Sequence, residues 1–89
     1  MIKIVTVEYL GNKIMRLRFS DSTWGDFDLQ PLIDRDTELV SPLRDDRFLA
    51  EYFLELGALC WKNGLELSPW SIHQKLKEQG RLQIGVEAA

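Results

Sequence analysis

The sequence predicts an α+β domain: an N-terminal three-stranded antiparallel meander, a short helix, a β-hairpin and a C-terminal helix. Three observations carry this. Lys13 to Ser20 alternates apolar and polar side chains with period two, and a turn signal on each side of it separates it from a further strand-like segment. Ser68-Pro69 pairs an N-cap residue with a first-turn proline, and the stretch behind it stops at Gly80. The 89 residues hold no repeat, linker or low-complexity tract, so 1–89 reads as a single domain.

Taken in order, Lys3 to Tyr9 is rich in β-branched residues and forms the first strand. Leu10-Gly11-Asn12 turns the chain, and Lys13 to Ser20 returns with Met15, Leu17 and Phe19 on one face and Arg16 and Arg18 on the other. A three-residue loop would pair Val7 with Met15 and Val5 with Leu17. Asp21-Ser22-Thr23 is the next turn, and Trp24 to Leu29 the third strand. With Ser20 opposite Trp24, Leu17 faces Phe27 and Met15 faces Leu29, while Arg18–Asp26 and Arg16–Asp28 pair outside.

Pro31-Leu32-Ile33 reads as one helical turn. Asp45 or Asp46 caps a short helix containing Phe48, Leu49, Tyr52 and Phe53. Phe53–Glu55 and Ala58–Trp61 form a hairpin around Leu56-Gly57, and Asn63-Gly64 reverses the chain before a short strand at Leu65–Leu67. The last helix runs from Pro69 to about Gln79. Residues 81–89 are weakly patterned and read as a mobile tail. Val5, Val7, Leu17, Phe19, Phe27, Leu29, Phe48, Leu59, Trp61, Ile72 and Leu76 are the expected core.

Charge and composition narrow the function. A net charge of −3 and 45% hydrophobic residues describe a globular protein without a global positive field for a phosphate backbone. Apolar runs are only a few residues long, too short to span a membrane. With strand-like sequence from the start and no leader pattern, the expected location is the cytoplasm.

No cluster of residues announces catalysis or a cofactor. One cysteine, Cys60, excludes an internal disulfide and a thiolate cage, and it reads as a small buried apolar residue. His73 is expected at the surface, exposed or half-exposed. Asp34, Asp36 and Glu38 are spaced like part of a calcium loop but lack its central glycine and distal glutamate, so they read as a solvated acidic loop. The sequence therefore predicts no enzyme, no metal and no cofactor; the weaker alternative is an enzyme whose site is assembled around His73, Trp61 and Glu66.

The most suggestive constellation is a surface. In the expected register Ile4, Ile14, Arg16, Arg18 and Trp24 share the outer face of the meander. An aromatic beside arginines and aliphatics has the composition of an interface centre. Its expected partner is another protein or a second copy of the chain. Single-stranded nucleic acid is the alternative, since aromatic-plus-basic sheets bind it, but Asp26 and Asp28 would neutralise the arginines.

Two motifs carry a family resemblance. Trp61-Lys62-Asn63-Gly64-Leu65-Glu66-Leu67-Ser68-Pro69 resembles the Trp-Pro-Asn-Gly-x-Asp-Leu-x-Pro signature of the domain-of-unknown-function 2442 family. Phe27-Asp28-Leu29-Gln30-Pro31-Leu32 resembles that family's Phe-Asp-Leu-x-Pro-Leu run. Lys62, Glu66 and His73 stand where the family usually has proline, aspartate and tyrosine. Trp61, Asn63, Gly64 and Pro69 read as fold determinants: a core side chain, a reversal and a helix start. Some relatives are encoded in suspected toxin–antitoxin pairs, so the resemblance implies a non-catalytic, protein-binding regulatory module of antitoxin-like kind.

Overall fold

In the computed structural model, which describes residues 1–85, two antiparallel sheets and three helices follow one another along the chain. Strands β1 (Ile4–Gly11), β2 (Ile14–Phe19) and β3 (Thr23–Asp28) form the meander. Then come α1 (Gln30–Ile33), a 3₁₀ turn at Ser41–Arg44 and α2 (Asp46–Leu49). A second sheet holds β4 (Phe53–Glu55), β5 (Ala58–Cys60) and β6 (Glu66–Leu67). Helix α3 (Pro69–Glu78) leads to β7 (Gln83–Ile84), which returns to the first sheet and gives it the order β1-β2-β3-β7.

The local signals act as their chemistry requires. The Ser68 side chain accepts from the Ser71 N–H and caps α3, and Asp45 does the same for α2 through the Arg47 N–H. Gly64 has φ +97°, the conformation only glycine adopts without cost. Asn63 holds that reversal: its Oδ1 accepts from the Leu65 N–H, and its Nδ2 donates to the Leu39 carbonyl. Trp61 fills the core at 2% exposure, its Nε1–H bonded to the Leu49 carbonyl at 2.9 Å.

Both registers of the meander differ from expectation by two residues. Val7 pairs with Leu17 and Tyr9 with Met15, and across β2–β3 Met15 pairs with Phe27 and Leu17 with Gly25. The β1–β2 loop is a two-residue turn, Asn12-Lys13, with positive φ at both positions, and Leu10 is taken up in a bulge between Tyr9 and Gly11. The β2–β3 turn is fixed by Asp21, which accepts from both the N–H and the hydroxyl of Thr23. A shift of two preserves which face each side chain takes, so Met15, Leu17, Phe19 and Leu29 are buried as expected.

The β2–β3 register rests on Gly25. A Cβ there would lie 2.9 Å from the Arg81 carbonyl oxygen and 3.0 Å from a Leu76 methyl. Leu17 opposite glycine leaves the room in which α3 and the following chain close on the sheet.

Four other expectations are corrected. A second bulge between Ile4 and Thr6 reverses the facing of the strand's start, so Ile4 is in the core and Val5 is exposed. Val7, Phe27 and Phe48 are half-buried and border the core. The short helix ends at Leu49, and Phe53 belongs to β4 with an exposed side chain. The weakly patterned stretch beyond Arg81 supplies β7, while residues 86–89 lie outside the described residues. Among the described residues no helix is long and apolar enough to cross a membrane.

Candidate functional site

The outer face of the first sheet presents three rows of side chains. Ile14 stands across from Asp28; Glu8, Arg16 and Asp26 form the second row; Thr6, Arg18, Trp24 and Gln83 form the third, across all four strands. Alternation puts the even-numbered residues of β1, β2 and β3 opposite the core set, Gln83 joins them as the cross-strand partner of Trp24, and α3 packs on the core side, with His73 against Phe19.

Four of the five expected surface residues, Ile14, Arg16, Arg18 and Trp24, are brought together here, each half-buried. Ile4 is not among them. The bulge that buries it separates it from the patch.

Arg16 organises the face. Its Nε and Nη2 donate to the two carboxylate oxygens of Asp26 at 2.7 and 3.0 Å, a bidentate pair. Its guanidinium also lies 4.9 Å from the Trp24 ring centre. The hydrogen bond from Arg16, opposed by partial burial and assisted by the guanidinium charge, holds the Asp26 carboxyl below the usual range. A shallow depression beside this pair is lined by Ile14, Trp24, Asp26, Gly80, Arg81 and Gln83. The Trp24 Nε1–H is enclosed and has no acceptor among the described residues. β7 contributes Gln83, a residue the sequence reading missed because a two-residue strand carries no periodic signal.

His73 is a correction. It is 8% exposed, bonded through Nε2 to the Asp21 carboxylate at 3.0 Å, with its ring edge-on to Phe19 at 5.0 Å. Helix α3 buries the arc Ile72, His73 and Leu76 and leaves Trp70 outside, so a histidine three residues past an exposed tryptophan is nevertheless covered. Partial burial opposes the Asp21 charge, but hydrogen bonds from Thr23 and His73, with the His73 charge, outweigh it and lower that carboxyl. His73 and Asp21 thus tie α3 to the β2–β3 turn.

Cys60 is buried, and burial together with the Glu66 and Glu55 carboxylates pushes its thiol up, away from the reactive thiolate. Among the described residues no group of three His, Cys, Asp or Glu side chains gathers to hold a metal ion.

Fold and face together define a small α+β protein built around a meander whose outer surface pairs an aromatic with arginines. Residues 4–78 match the family described as Protein of unknown function (DUF2442), and the chain belongs to that family. No curated protein and no solved structure matches the chain.

Proposed function

We propose that this chain is a non-catalytic protein-binding module of regulatory, antitoxin-like kind, and that it binds through the outer sheet face. One observation carries the reading: the Arg16–Trp24 stack beside Ile14, on the sheet face opposite the helices. Trp and Arg are the residue types that anchor interface centres, and the bidentate Asp26 contact fixes the arginine before a partner arrives. The same contact argues against nucleic acid. Asp26 and the neighbouring Glu8 balance the arginine charge that a phosphate would need.

The test places a photo-cross-linking amino acid at Gln83, in the Trp24 row, and illuminates cells expressing the chain. The expected result is a defined adduct, with a partner or with a second copy, that disappears in the folded Trp24→Ala/Arg16→Glu variant. No adduct, or one that survives the double substitution, would remove this face as the functional surface. Salt-sensitive capture of RNA or DNA would replace the proposal with the nucleic-acid reading.

A further inference from the structure

A second surface lies between α1 and α3, sharing Asp28 alone with the rows of the outer sheet face. It is a groove of about 340 Å³. Its floor is apolar: Phe27, Leu32, Leu67 and Ile72, each half-buried or buried. Along one wall runs a stripe of α3 and its cap: Ser68, Ser71, Ile72, Lys75 and Gln79. That stripe spans roughly 16 Å at the α-helical rise. The groove is therefore long enough for about five residues of extended chain.

Its charge runs against that of the molecule. The chain carries a net charge of −3, yet two cations, Arg35 and Lys75, stand at this groove. Neither makes an ion pair or a side-chain hydrogen bond among the described residues. Lys13, Arg16, Arg44 and Lys62 are each paired with a carboxylate, while Lys3, Arg47, Lys77 and Arg81, like the groove pair, make no ion pair among the described residues but do not line the groove. One carboxylate, Asp28, also lines the groove, and its Oδ1 is engaged by the Gln30 N–H at 2.9 Å. Two uncommitted cations over an apolar floor complement a ligand that is both acidic and apolar. A purely apolar segment would leave them unused, and a basic one would be repelled.

We propose that the groove between α1 and α3 binds an extended segment of a partner protein in which acidic side chains flank an apolar one. The apolar side chain covers Phe27, Leu32 and Ile72, and the carboxylates meet Arg35 and Lys75. The proposal does not depend on the outer face being an interface.

A phage library of random heptapeptides panned against the full chain tests it without presupposing a sequence. Enriched peptides should place Asp or Glu on either side of Leu, Ile, Met or Phe, and binding should weaken as salt is raised. The Arg35→Glu/Lys75→Glu variant should retain at least tenfold less of the enriched peptides. A Lys77→Glu variant, altered outside the groove, and the Trp24→Ala/Arg16→Glu variant should retain them fully. Circular dichroism melts establish that all three variants are folded. Enrichment of basic or unpatterned peptides, no enrichment, or retention that survives the groove substitutions would overturn the proposal. Loss of retention in the Trp24→Ala/Arg16→Glu variant would assign the peptides to the sheet face and overturn it as well.

Discussion

At the scale of single residues, the pair His73–Asp21 shows how a contact distant in sequence converts a surface type into a structural one. Asp21 serves three donors at once: the Thr23 N–H, the Thr23 hydroxyl and the His73 ring. Its carboxyl is lowered in the folded chain. A group whose pKa falls on folding stabilises the fold above its unfolded value, about 3.9, and that contribution is lost as pH drops through the folded value. Asp21→Ala should therefore cost about 1 kcal/mol at pH 7, allowing for solvent screening of a partly exposed carboxylate. Urea melts from pH 7 to pH 3 should show the gap between variant and parent closing below about pH 4. A gap constant across that range would mean that the Asp21 charge contributes nothing. The sequence held no signal for this contact, because Asp21 and His73 are 52 positions apart and only the docking of α3 joins them. Cys60 and Trp61 were legible, by contrast, because an apolar run in a short strand has few places to go but inward.

Among the elements, turn chemistry was read more accurately than register. The Leu56-Gly57 hairpin, the Pro31 helical turn, the Asp45 and Ser68 caps and the Gly80 stop all appear where residue type demanded them. Register depends on bulges, and a bulge is one extra residue with no compositional mark. The bulge near Val5 moved Ile4 out of the expected surface patch, while the two-residue shifts elsewhere left Ile14, Arg16, Arg18 and Trp24 on it. The reversal at Asn63-Gly64 offers the sharpest test at this scale. No atom lies within 4 Å of a Cβ built on Gly64, so any penalty comes from its positive φ alone. Gly64→Val should cost at least about 1 kcal/mol. Thermal melts check this: an unchanged midpoint would show that the loop adapts without strain.

Across the whole molecule, two surfaces of different chemistry are carried on one small core: a charge-balanced aromatic face on the sheet and a cationic groove beside α3. The return of β7 to the sheet bears on how copies of this chain can assemble. On the β1 side, Tyr52 donates to the Val7 carbonyl and the Ile4 N–H bonds Gly57, so two outward backbone groups are already taken. On the other side β7 covers Thr23 and Trp24. A sheet with one usable edge can pair only once, which closes a twofold dimer; a sheet with two usable edges can add copies head to tail without end. A chain ending at Arg81 bares β3 as its one usable edge and should pair once, so light scattering should show it moving from monomer to a twofold dimer as concentration rises, whereas the full chain gains no dimer through this edge. Two residues of strand would then be what separates a capped sheet from a self-pairing one, and a truncated chain whose mass matches that of the full chain at every concentration would show that β7 has no such part.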